Sequence, residues 1–560
     1  MRIGKRHDQS SGETIGCRIN EKKEVLGMRH TKVVMLVAWI LGVCLVSLGF
    51  AKEKVVVYGQ SMPLLHLDSA YGAYLAYPAG YEVAFVIYEG LVGFDEKMNI
   101  YPLLATSWEV SEDGKTWVFH LRQGVKFHDG TPFNADAVVV NVIRGMDPKR
   151  TTTNRMHWDF WESVEAVDEY TVKLVAKYPN GLTLSSLAHG AGLMASPTAI
   201  EQFHDDLGTH PVGTGPFMVE RFDVGKELVL VRFEDYWGPK PEVNKLIFRY
   251  IPDASTRVAA LLAGEVHVID AVPPHQLARL ERDPRITVYK VTSLRPYRIE
   301  IFQHPVYAKE ALKDKRVRLA LNYAIPKEAI IKSVFLDYAE IADSPIAPDT
   351  FGHVYCGEYP YDPERARQLL AEAGWLDTDG DGIVDKDGVP LRLTFMAPDG
   401  AYYGDVMVAE AIAYYLREVG IDVRIWKVER AATYGYWTAP PAQIQWDLTL
   451  RAFNPSNGSG LYHLQNEFLS NPVDETSPWA WNVEWYSNPQ VDELIREASR
   501  TIDFDRQAQL IAKAQKIIWN DCPSIFLFVP QNLVAARTEV KGIWVQPVMF
   551  VILKHIRLEG

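Results

Sequence analysis

Asp377, Asp379 and Asp381 stand at alternate positions in the run DTDGDGIVD, with Gly382 next and Asp385 closing it. Hard oxygen donors spaced around a sharp glycine turn are the chemistry of a Ca²⁺ loop. Calcium held there would take Asp385 as its fourth side chain and serve a structural role. An EF-hand loop, however, closes on a bidentate glutamate followed by a helix. Here that position is Gly388, and LRLTFM after it alternates like a strand. An acidic surface turn held by Asx-type hydrogen bonds is the simpler reading.

Covalent chemistry has little support. The GSG at 458–460 lacks the G-x-S-x-G elbow, there is no H-E-x-x-H, and no carboxylate pair sits in a catalytic context. A secreted hydrolase is therefore a weak alternative. GTGPF at 213–217 has no Lys-Ser/Thr pair beside it, so its glycines read as a tight backbone crossing and not a phosphate cradle. What the chain has in quantity is aromatic surface: 15 tryptophans, with Trp479, Trp481, Trp485 and Tyr486 close together and Tyr71, Tyr74, Tyr77 and Tyr81 near the first strand. Such rings pack cores or meet ligands, including the apolar faces of sugars. No cofactor is called for.

Beyond residue 51 the chain carries 50 Lys+Arg against 67 Asp+Glu, a net charge of −17. That balance argues against nucleic acid or an anionic membrane as the main partner. Arg29 and Lys32 precede an apolar run from Val33 to Val46, and Gly49 and Ala51 give the small-x-small edge of a cleavage site. Residues 1–51 thus read as a leader with a secretory signal peptide, best started at Met28. An uncleaved anchor, which would hold the exported chain at the membrane, stays open. Outside this leader only Cys356 and Cys522 remain, and a disulfide or two free thiols are equally open.

The elements that position these groups are clearest over 88–142. Residues 108–111 and 116–122 alternate around Asp113-Gly114, which predicts a hairpin with Trp117, Phe119 and Leu121 on its buried face. Asn134 is placed to cap a helix bearing Val138, Val142 and Met146. Strands and helices then alternate, which predicts an α/β architecture. Residues 499–519 read as the last long helix, followed by strands at 524–529 and 532–537.

The 88–142 stretch, GTGPF at 213–217, YWG at 236–238, GEVHVID at 264–270, VRLALNYAI at 317–325, YDPERARQLLAEAGW at 361–375 and NPQVDELI at 488–495 together resemble the family 5 extracellular solute-binding proteins of ABC importers, the dipeptide, oligopeptide and nickel-type receptors. The resemblance implies a type II periplasmic-binding-protein fold: two hinged lobes, with an extra subdomain in the first. Lobe 1 would be 52–295 plus 524–560 and lobe 2 296–523. It implies an exported, periplasmic or extracellular receptor that closes on a solute and delivers it to membrane permease subunits, with no catalysis. Tyr77, Tyr81, Trp158 and Trp161 fall where related proteins line the cleft, and Trp481 belongs to the second aromatic group. In the family's peptide binders the strand end after Trp446 typically reads W-x-x-D, its Asp pairing with the peptide ammonium; here Phe453 and Ser456 stand at those places. A charge-assisted contact of roughly 1.5–3 kcal/mol is thereby missing. Phe453, Asn454 and Ser456 are the expected ligand-facing set; Arg451 either joins them to face an acidic ligand group or, the simpler reading, is paired structurally within its lobe. Peptides and oligosaccharides both remain candidate cargo, and nickel is disfavoured because no histidines cluster in these segments.

Overall fold

The computed structural model describes residues 53–68, 78–149, 157–472 and 481–559. The leader, Tyr71, Tyr74, Tyr77 and Trp479 lie outside them. Within the unit Lys54–Gly560 one strand, Ser524–Arg537, belongs to two sheets. Its second half pairs antiparallel with Ile286–Thr292, from Thr292 opposite Gln531 to Ile286 opposite Arg537, and with Val268–Ile269. Through Val268–Ile269 the sheet continues to Val55–Gln60, Lys245–Tyr250, Glu227–Arg232 and Phe217–Asp223. Its first half pairs with Tyr297–Ile301 and Ala339–Ile341, leading on to Leu448–Ala452, Arg392–Asp399 and Asp422–Glu429.

The change of partners falls at Pro530, which has no amide to give a ladder and so suits a switch point. The sequence reading splits this strand in two and returns all of it to the first lobe. The structure joins it, and the residues before Pro530 pair with the second sheet.

Each sheet carries its own core. Val56, Tyr58, Val86, Phe217, Phe248 and Val534 pack in one, and Ile299, Leu321, Phe395, Ile412, Leu450 and Phe528 in the other. A third core belongs to a separate four-stranded sheet ordered Ala105–Val110, Thr116–Leu121, Thr171–Ala176, Trp161–Asp168. This is where the hairpin sits, with Val110 opposite Trp117 and Gly114 at φ +70° in the turn. Trp117, Phe119 and Leu121 are buried as expected. Asn134 caps the helix Ala135–Met146, its side-chain oxygen accepting from the Ala137 amide at 3.1 Å.

A Cβ on Gly213 would lie 2.2 Å from the Ile87 carbonyl oxygen, and one on Gly215 2.6 Å from that of Val86. GTGPF is thus a close crossing over the helix Pro78–Ile87, as its glycines suggested. The last long helix is broken: Pro489–Arg500 and Phe504–Asp521 are separate, because Asp503 turns its carboxylate onto the Arg506 amide at 2.7 Å and starts a new helix. Cys356 and Cys522 are free thiols. The Cys522 sulfur accepts from Asn322 Nδ2 at 3.1 Å, and burial pushes both thiols up to about 11.

Candidate functional site

The segment 453–460, released by the strand Leu448–Ala452, and the helix Gly460–Glu467 after it lie against elements of the first half of the chain. Their meeting is polar and aromatic. His189, between the helix Thr183–Ala188 and the turn Gly190–Gly192, accepts the Ala191 amide at Nδ1, 3.2 Å. That leaves the proton on Nε2, which donates to Ser456 Oγ at 2.9 Å across the seam. The Ser456 hydroxyl also bonds the Tyr462 side chain.

His157 stacks on His189 with ring centroids 4.2 Å apart and on Tyr462 at 5.5 Å. Tyr81, from the helix Pro78–Ile87, meets His189 edge-on at 5.1 Å and Phe550 at 4.9 Å. On the other side Phe453 packs on Tyr462 and on His463, at 5.7 and 5.2 Å. Tyr81, Phe453 and Ser456 of the expected set are therefore brought together.

The seam is neutral and incompletely satisfied. Burial lowers His157 to about 4 and carries His189 and His463 well below the ordinary histidine range, so all three are uncharged at neutral pH. Tyr462 is pushed up to about 12 by the same desolvation. Among the described residues His157 Nε2, both nitrogens of His463, Asn454 Oδ1, Asn457 Nδ2 and Ser459 Oγ are buried without a hydrogen-bond partner. Buried polar atoms are nearly always paired in a finished structure. These six are part of a total of 19 such atoms among the described residues, and this group lies on or beside the segment 453–460 and its partners; a polar, uncharged stretch of ligand could satisfy them.

Arg451 faces inward. Its Nη1 bonds both oxygens of Glu300, at 3.0 and 3.1 Å, and its Nη2 reaches Glu467 Oε1 at 3.1 Å. Arg298, directly opposite in the antiparallel register, bonds the same two carboxylates at 2.7 and 2.5 Å. All four side chains are buried, so Arg451 anchors the strand below Phe453 and offers no free charge to a ligand. Asn454 is tied by Nδ2 to the Val548 carbonyl at 2.9 Å.

Trp158 and Trp161 are 3% and 0% exposed and lie in the core of the small four-stranded subdomain. A Cβ on Gly145 would stand 2.5 Å from the Trp158 ring. Placement in that core leaves their neighbour His157, not the indoles, at the seam. Trp481 packs on Tyr434 at 5.4 Å and over the Arg451 guanidinium at 5.5 Å. Trp485 is buried edge-on against His304 at 4.7 Å.

The acidic loop gathers Asp377, Asp379 and Asp381, their oxygens within 4.8 Å of one another. All three are exposed and cap backbone amides within the turn. Asp385 does not join them, because its carboxylate is taken by the amide and hydroxyl of Thr378 at 3.0 and 2.7 Å. Sequence reading missed His157, His189, Tyr462 and His463; isolated in the chain, they carry no spacing motif. Although two of the histidines stack, the Asp trio is the one group among the described residues whose donor atoms converge closely enough for a metal ion.

The same overall fold is found in solved structures. The ABC transporter-associated periplasmic binding protein DppA of Helicobacter pylori, in complex with the peptide STSA, superposes with a TM-score of 0.73 at 26% identity, over 91% of this chain and 98% of that one. HbpA2 of Haemophilus parasuis does so with a TM-score of 0.76 at 25% identity, over 90% and 100%. The fold is that of the type II periplasmic binding proteins. Residues 99–473 match the family model of bacterial extracellular solute-binding proteins, family 5. A glutathione-binding protein GsiB of Pectobacterium atrosepticum is 31% identical over 489 residues, 83% of this chain and 87% of its own length. The chain therefore belongs to family 5 of the bacterial extracellular solute-binding proteins. Among the described residues no helix is long and apolar enough to cross a membrane.

Proposed function

We propose that this protein is the exported receptor of an ABC importer, that it captures a short peptide at the seam of Tyr81, His157, His189, Phe453, Ser456 and Tyr462, and that it hands the peptide to the membrane permease without chemistry. Residues on either side of the Pro530 switch form two lobes in this reading, with the small four-stranded subdomain attached to the first. Ligand contacts from both lobes exist together only when the lobes are closed, so binding shifts the hinge equilibrium towards closure.

The observation that carries the reading is the set of unpartnered buried polar atoms at His157, Asn454, Asn457, Ser459 and His463. Neutral donors and acceptors suit peptide groups, and neutral rings suit the side chains between them. Peptides are favoured over oligosaccharides by relatives named for glutathione and by the DppA complex with STSA. Trp481 and Trp485, which raised the sugar reading, are engaged with Tyr434, Arg451 and His304.

A thermal-shift screen tests this directly, since a tight ligand stabilises the folded state by mass action. Glutathione and di- to pentapeptides are expected to raise the melting temperature, and α- and β-linked oligosaccharides to leave it unchanged. The opposite pattern, or turnover of any of these compounds, would overturn the proposal.

A further inference from the structure

Ser456 lines a second space on its other side. A cavity runs from Ser456 between Phe85, Phe94, Met98 and Phe550 towards Lys554. It adjoins the seam through its walls: Ser456 belongs to both, Phe85 and Phe550 pack at a tilt beside Tyr81 with centroids 5.9 Å apart, and Tyr81 meets His189. Its charged lining groups are Glu89 and Lys554, and their situations differ.

Glu89 is buried and saturated, accepting from Tyr236 OH at 2.8 Å, Trp237 Nε1 at 2.7 Å and Thr214 Oγ1 at 3.0 Å. Its charge is spread over three protein donors. Lys554 has no carboxylate within ion-pair distance among the described residues. Its ammonium bonds the Tyr101 hydroxyl and lies 4.8 Å from the Tyr101 ring centroid and 5.8 Å from that of Trp544. Ring faces hold a cation without forming an ion pair, and Glu89, beyond ion-pair distance, acts on the ammonium only through space, so a half-buried ammonium among apolar walls still gains from a directly bonded anion. Size narrows the choice. The free volume, about 40 Å³, is room for roughly three water-sized groups, which matches one carboxylate and excludes a whole side chain.

We infer that Lys554 is the anchor for the terminal carboxylate of the ligand, which enters this cavity past Ser456 while the rest of the chain lies along the seam. The inference rests on the peptide reading above and deepens it by fixing polarity: the ligand end at Ser456 is anionic. Lys554 would then determine specificity for free-acid ligands over capped ones.

The test is calorimetric titration of tri-alanine and of glutathione, each as free acid and as C-terminal amide, into the wild-type protein, Lys554→Met and Lys554→Arg. The wild type is expected to bind the acid at least about tenfold more tightly than the amide, or about 1.4 kcal/mol. Lys554→Met should bind both forms equally, and Lys554→Arg should keep the preference, which separates lost charge from a damaged fold. Retention of the preference in Lys554→Met, or its absence from the wild type, overturns the inference and leaves the peptide reading standing. Failure of both peptides to bind in either form overturns both.

Discussion

Replacing Arg451 by Met removes one cation from a buried cluster and keeps its apolar volume. In the wild type Arg451 makes three contacts of 3.0–3.1 Å to Glu300 and Glu467, and Arg298 makes two more to the same carboxylates. After substitution Arg298 alone faces two buried carboxylates, one of which is left uncompensated. Breaking a buried pair from one side costs about 3–5 kcal/mol. The unfolding entropy of roughly 500 residues at about 2.1 cal/mol/K each is near 1 kcal/mol/K, so the melting temperature should fall by about 3–5 °C. Differential scanning calorimetry at pH 7 measures it. Adding Glu467→Gln to the same chain should recover part of the loss, because the stranded charge is then gone. A single variant melting within about 1 °C of the wild type, or a double variant no more stable than the single, would refute the view that this cluster holds up the Phe453 strand end.

Three further outcomes follow from the same contacts. Glu484 is buried beside this cluster and its pKa is raised to about 8; the folded state thus holds a proton that the unfolded state releases, and stability should decline between about pH 4.5 and 8. Glu484→Gln should flatten that decline in melts taken across the range. His157 is lowered to about 4, so the unfolded state binds the extra proton first and stability should be lost as pH falls from about 6.5 to 4, with a shallower loss in His157→Phe. Gly213→Ala brings a methyl against the Ile87 carbonyl and should cost about 1–3 kcal/mol by denaturant titration.

Much of the fold was legible because it is local. The alternation at 116–122, the turn glycine Gly114 and the cap Asn134 each act within a few residues, and each is where the sequence put it. Gly213 and Gly215 announced a close approach, though not that the helix Pro78–Ile87 was what they approached. The break at Asp503 was missed because apolar periodicity runs through it while a single capping carboxylate decides the boundary.

The candidate site was legible only in part. Phe453 and Ser456 could be found from a resemblance at one strand end. Their partners His157 and His189 could not, since they come from distant loops and meet only when the sheets are assembled. Trp158 and Trp161 were candidates by residue type, and burial in the subdomain core is what type alone cannot foresee. For Arg451 a structural pairing within the lobe was the simpler reading and is what is found, but its partners were not legible, because the two carboxylates stand on another strand and on a helix.

The most direct measurement is the affinity of glutathione and tri-alanine for the wild type and for Phe453→Ala, titrated at pH 7 with the melting temperature of each protein recorded alongside. Phe453 is half-buried and stacks on Tyr462 and His463 at the seam. The expected result is one site per chain in the wild type and at least a tenfold loss in Phe453→Ala, about 1.4 kcal/mol, in a protein that still melts cooperatively. Binding of equal strength to both proteins would contradict a peptide site at this seam.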